Sequence, residues 1–142
     1  MVQEASLPWP RVGVGAVVAT PDGYVLLQRA GKHGGGLWSL PGGALEPGES
    51  LIACAVRETL EEAGVVLRDA RLLPFVSEDI FPQQHWVTHY VCGETSDRPR
   101  IMEPDKASGL FVGWPDEFPP ALFAGLPQLI AQGYLRANSS VP

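Results

Sequence analysis

The segment Gly43 to Val65, GALEPGESLIACAVRETLEEAGV, concentrates Glu49, Arg57, Glu58, Glu61 and Glu62. A helix turns by about 100° per residue, so Glu58, Glu61 and Glu62 fall within one arc roughly 100° wide. Like charges four residues apart, here Glu58 and Glu62, oppose helix formation by roughly 0.2–0.5 kcal/mol. Local conflicts of this kind gather at functional sites. A hard divalent cation, Mg²⁺ or Mn²⁺, would convert the repulsion into coordination, because such ions favour carboxylate oxygens. The competing reading is a solvated acidic helix face, and the cluster by itself does not decide between the two.

The acids need a helix to present them. Ile52, Val56, Thr59, Leu60 and Ala63 are expected to form an apolar stripe on the side opposite the acids. Ser50 suits an N-cap and Gly64 a C-terminal stop. Around this helix, strands are expected at Arg11–Ala19, Tyr24–Arg29, Leu72–Val76, Trp86–Cys92 and Leu110–Trp114, with a short extended piece at Leu37–Leu40. Gly31–Gly36 reads as a flexible loop, and Pro41-Gly42-Gly43 as a turn. Phe118-Pro-Pro120 announces a last helix over Ala121–Gln132, closed by Gly133. Strands around two helices predict an α/β chain with a mixed sheet and helices on both faces. A single domain over residues 1–142, with its core at about 10–134, is expected.

The chain has 142 residues, 45% of them hydrophobic and 18% charged, which argues for a folded core and against disorder. Its net charge of −6 disfavours a nucleic-acid backbone as partner. It leaves room for a small phosphate substrate, because a bound cation reverses the local sign. Cys54 and Cys92 stand alone, without zinc-ligand spacing, and fit a reduced compartment. With no signal pattern and no bilayer-length apolar run, no membrane association is expected, and a cytoplasmic location is the default expectation.

Seven positions match a known signature, G-x5-E-x7-R-E-U-x-E-E-x-G-U with U a bulky aliphatic residue: Gly43, Glu49, Arg57, Glu58, Glu61, Glu62 and Gly64. Val65 fits the last U, and Thr59 stands where the first is expected. In this the chain resembles the Nudix hydrolases, and LLQR, LWSLPGG and the WPDEFP segment extend the likeness over about residues 10–134. The resemblance is strongest to MutT-type members, which hydrolyse nucleoside triphosphates to monophosphate and pyrophosphate and clear noncanonical nucleotides. It implies an α/β/α sandwich, a divalent metal, a small-molecule nucleotide substrate and a homodimer.

By the same resemblance, Glu58, Glu61 and Glu62 bind metal, joined by the carbonyl oxygen of Gly42 and by Glu103 from a later loop. Family members place the base differently, so Glu58, Glu61 and Glu103 all stand as catalytic candidates, with Glu94 and Asp105 as weaker competitors to Glu103. Arg57 is expected to pair with Glu49 and orient the acids, supported by Gly43 and Gly64 in the backbone. Arg29 is expected on a substrate phosphate, with Lys32 assisting. In the first strand, Gly13 and Gly15 share a face, and glycine in a strand often marks close approach by a ligand or another backbone. A nucleobase near Gly13 and Gly15 is one reading, with tight packing the other; Thr88 could offer a hydroxyl to base or sugar. His85 and His89 are read as packing or surface residues. A different X-linked diphosphate such as ADP-ribose or a nucleotide sugar is the alternative substrate. A nucleotide-binding regulator without activity is the alternative class.

Overall fold

In the computed structural model, residues 9–138 are described; the ends of the expected 1–142 domain lie outside them. The order is β1 (Arg11–Thr20), β2 (Gly23–Arg29), β3 (Trp38–Ser39), β4 (Gly42–Ala44), α1 (Leu51–Ala63), β5 (Arg68–Phe81), β6 (Gln84–Glu94), β7 (Ala107–Gly113) and α2 (Leu126–Ala131), with a 3-10 turn at Pro115–Glu117 before α2. The seven strands form one mixed sheet with the main path β3-β2-β1-β6-β5; β4 pairs with β1, and β7 with β2. β1 runs parallel to β6, with Gly13 beside Thr88, and antiparallel to β4, with Gly15 beside Gly42. Thus β1 lies between the strand that leads into α1 and the strand that carries Thr88.

Side chains alternate across β1. Val14, Ala16 and Val18 enter a cluster with Cys54, Ala55 and Ala63 of α1, while Val17 and Ala19 enter a second cluster with Leu126 and Leu129 of α2. Helices therefore cover both faces of the mixed sheet, as expected for an α/β/α sandwich.

The expected caps of α1 are present. The Ser50 hydroxyl accepts from the Ala53 N–H at 3.0 Å, and Gly64 adopts φ 69°, its N–H donating to the Leu60 carbonyl. The expected apolar stripe is displaced. Cys54, Ala55, Thr59 and Ala63 are buried, whereas Ile52 and Leu60 are exposed. Small side chains let the helix lie close to β1, and Glu58 and Glu62 then lie against Gly43 and Gly42 of β4 rather than pointing away from the core. The last helix is also shorter than expected. Residues 121–124 run beside β3, where Trp38 N–H donates to Ala121 and Phe123 N–H donates to Trp38, and Gly125 at φ 90° then turns the chain into α2.

The Thr59 hydroxyl is buried without a hydrogen-bond partner among the described residues. An unsatisfied buried hydroxyl costs about 1–3 kcal/mol, and valine has nearly the same shape. Thr59→Val is therefore expected to raise the unfolding free energy by about 1–3 kcal/mol in urea titrations. A loss of stability would show that the hydroxyl bonds a trapped water.

Candidate functional site

Arg57 is the hub of the acid cluster. Its Nε lies 2.6 Å from Glu49 Oε2 and its Nη2 3.0 Å from Glu49 Oε1, a two-pronged pairing that holds the loop before α1 against the helix. Nη1 reaches Glu58 and Glu61, each at 3.2 Å, and Nη2 donates to the Ala44 carbonyl at 3.4 Å. The expected Arg57–Glu49 pair is present, and one guanidinium also bridges to Glu58 although the two residues leave the helix about 100° apart. Hydrogen bonding to Arg57 holds the Glu49 carboxyl down at about 2. The same bond raises the Arg57 pKa.

The acids divide into two groups. Glu61 is about half exposed and turned to Arg57. Glu58 and Glu62 turn toward Gly42 and Gly43, which pair with β1 as part of β4 where a turn was expected. A Cβ at Gly43 would collide with the Glu58 carboxylate, so glycine is required for that approach. The contact made by Gly42 is its N–H, which donates to Glu62 at 3.1 Å, where its carbonyl was the expected participant. Burial first, then the Glu58 and Glu103 carboxyls, push the Glu62 pKa up to about 8.

As the side chains lie, no three ligating groups among the described residues form a ready-made metal site. The chemistry of the set nevertheless fits a hard divalent cation: burial and the neighbouring carboxyls disfavour the charged form of Glu62, and a shared positive charge would relieve that. Glu58, Glu62 and Glu103 are the residues that could hold it. Glu58 and Glu61 both contact Arg57 Nη1 at 3.2 Å, so each would share or give up that contact on binding a cation.

Beside Glu62 opens a cavity of about 360 Å³. Glu103, Asp105, Lys106 and Arg29 line it. Glu103 pairs with Lys106 at 3.7 Å. The Arg29 guanidinium stacks on Phe123 at 4.1 Å and donates to the His33 carbonyl at 3.2 Å. Burial lowers its pKa, and the charge of Glu62 works against that shift. Of the expected cations, Arg29 is in place, but Lys106 fills the position expected of Lys32, which is exposed and does not line the cavity. Glu94 borders a separate groove with Arg68 and Arg136. His85 pairs with Glu78 at 2.6 Å, and neither His85 nor His89 lines the cavity.

Gly13, Gly15 and Thr88 line the cavity floor. The space over the glycines is filled from within: a Cβ at Gly15 would press on the Tyr90 ring at 2.9 Å, and one at Gly13 on Thr88 and Trp86. The glycines thus admit side chains of β6 and also line the cavity, which is compatible with either reading. The residues that sequence reasoning missed are aromatic. Trp86, Phe81, Tyr90, Phe123 and His33 wall the cavity. The two-residue alternation of Trp86, Thr88 and Tyr90 along β6 was the available signal.

A sequence profile of the NUDIX domain matches residues 9–132. The chain belongs to the Nudix family. A MutT Nudix hydrolase from Burkholderia pseudomallei has a structure similar to this one at TM-score 0.81 and 31% identity, covering 87% of this chain and 98% of that one. The NUDIX domain of Shewanella oneidensis NrtR, cocrystallised with ADP ribose, is similar at TM-score 0.73 and 25% identity, over 90% and 88% of the two chains. An 8-oxo-dGTP diphosphatase from Proteus vulgaris is 35% identical over 75 residues, 52% of this chain and 66% of that protein. The chain spans as little as 11% and 16% of other curated relatives that it matches. No helix among the described residues is long and apolar enough to cross a membrane.

In this Nudix chain, the Glu49 carboxyl falls on folding from about 4.5 to about 2. A depressed carboxyl contributes stability that is complete above the unfolded value and disappears as pH falls to the folded one. Glu49→Gln should therefore lose stability at pH 7, and its unfolding free energy should decline less steeply than that of the parent between pH 4.5 and 2. Chemical denaturation at stepped pH measures this; parallel profiles would remove Glu49 from the linkage.

Proposed function

We propose that the protein hydrolyses a phosphoanhydride bond of a nucleotide, taking a nucleoside triphosphate to the monophosphate and pyrophosphate. The observation that carries this reading is one cavity holding carboxylates (Glu62, Glu103), cations (Arg29, Lys106) and aromatic walls. Its volume of about 360 Å³ lies in the range of small-ligand sites, roughly 300–1,000 Å³. Carboxylates suit a divalent cation, guanidinium and ammonium suit phosphate oxygens, and flat rings suit a base.

Glu58, Glu62 and Glu103 would hold a divalent cation, Mg²⁺ or Mn²⁺, which when bound would neutralise charge on the phosphate oxygens and lower the pKa of water. Arg29 holds the phosphate chain in place. Water attacks one phosphorus and the bond to the bridging oxygen breaks, releasing pyrophosphate. Glu103 takes the proton of the attacking water at a carboxylate oxygen, with Lys106 steadying its charge. Arg57 positions Glu58 and Glu61 and does not touch substrate. Gly42 and Gly43 let β4 lie close to the acids, and Gly64 ends the helix.

The decisive assay supplies a panel of nucleoside triphosphates and ADP-ribose with Mg²⁺ and identifies the products. ADP-ribose is the second reading, supported by the ADP ribose bound to the Shewanella domain. Monophosphate plus pyrophosphate favours the first reading, and AMP plus ribose phosphate the second.

Two variants test the residues. Glu62→Gln should fold normally and turn over on the order of 10²-fold more slowly at saturating Mg²⁺; near-parental turnover would exclude Glu62 as a ligand. Glu103→Gln should leave stability within about 0.5 kcal/mol. Its Mg²⁺ titration should show a lower kcat or a shifted midpoint, whereas superimposable curves would make Glu103 only the partner of Lys106.

A further inference from the structure

The aromatic end of the cavity contains one polar group that the chemistry above does not use. Strand alternation puts Phe75, Ser77, Asp79 and Phe81 on one face of β5, and Asp79 stands directly across from Trp86 of β6. Asp79 lines the cavity with Phe81, Trp86 and Thr88. Tyr90 and Ser77 share one hydrogen bond at 2.8 Å, and the Trp86 indole N–H donates to Gln84 at 2.7 Å. No donor among the described residues hydrogen-bonds Asp79. Partial burial shifts its pKa upward, the cost expected of a carboxylate drawn from water without compensation.

A carboxylate offers two acceptor oxygens in one plane and no donor. Set among flat rings, it calls for a flat ligand whose edge carries two adjacent N–H donors. Resting on the nucleotide reading above, we propose that Asp79 reads the base, accepting from the ring N–H and exocyclic amino group of a 2-amino-6-oxopurine. Other bases match less well. Adenine sets a ring acceptor beside its amino group, as cytosine does. Thymine and uracil flank one N–H with two carbonyl oxygens, which a carboxylate repels. Hypoxanthine keeps the ring N–H and lacks the amino group, so it makes half of the pairing. Asp79 is thus a specificity-determining residue, remote in role from the metal-binding acids.

The test compares kcat/KM for dGTP, dITP, dATP and dTTP in the parent and in Asp79→Asn. Calorimetric binding of dGMP and dAMP without metal gives a readout that needs no turnover. The parent should rank dGTP above dITP and dITP above dATP and dTTP. The variant should lose on the order of 10- to 100-fold for dGTP relative to dATP, the worth of a hydrogen bond to a charged group. The dGMP affinity should fall in parallel. Asp79→Ala, which removes the acceptors without adding a donor, should show the same loss of ranking. Turnover of all four with an unchanged ranking in both variants would overturn the assignment and leave the hydrolase reading intact. Absence of turnover with dGMP binding that depends on Asp79 would do the reverse.

Discussion

The Arg57 guanidinium is the fixed point around which the acidic site is arranged. It is tied to Glu49 in two places, to Glu58 and Glu61 in one each, and to the Ala44 carbonyl. A planar fork with five donors can serve so many acceptors from one position, which lysine cannot do. Glu49 and Glu58 have side chains only 14% and 13% exposed, so without the arginine two carboxylates would sit partly desolvated and uncompensated. The clamp also fixes the loop between β4 and α1. That loop follows Gly42 and Gly43 of β4, which pair with β1 and against which Glu62 and Glu58 lie.

The sequence was most informative where local rules act alone. Ser50 and Gly64 bounded α1 correctly because capping is a short-range interaction of the backbone with its own neighbours. The signature spacing put Glu49 and Arg57 together. Reading failed where close packing overrides hydropathy. Ile52 and Leu60 are apolar yet exposed, because the sheet accepts only the narrow face made by Cys54, Ala55 and Ala63. β5 runs from Arg68 to Phe81 through Pro74. The expected strand at Leu72–Val76 already passes through Pro74, which an edge strand tolerates; what the sequence did not show is its continuation to Phe81, which pairing with β6 fixes. The aromatic walls were hidden for the same reason: Phe123 reaches the cavity because residues 121–124 lie beside Trp38, far away in sequence.

The cavity reconciles an acidic chain with an anionic ligand. Arg29 and Lys106 face the same space as Glu62, Glu103 and Asp105, so charges of both signs are gathered at one cavity. There a phosphate chain and a cation are each more favourable in the presence of the other, and the net charge of the molecule matters less than the local order.

The parallel seam between β1 and β6 has a kinetic consequence. Its register joins residue 13 to residue 88, more than half the chain apart, with α1 and β5 between them. Bringing such distant segments together closes a long loop, and contacts of this kind form late and slowly. The cavity floor lies on that seam, since Gly13 and Thr88 border it from its two sides. Neither the β5–β6 hairpin, which carries Asp79, Phe81, Trp86 and Thr88, nor α1, which carries Glu62, holds the whole lining by itself. A ligand held there draws on segments from nearly the whole chain, so its binding energy guards against global unfolding more than against fraying of any single element.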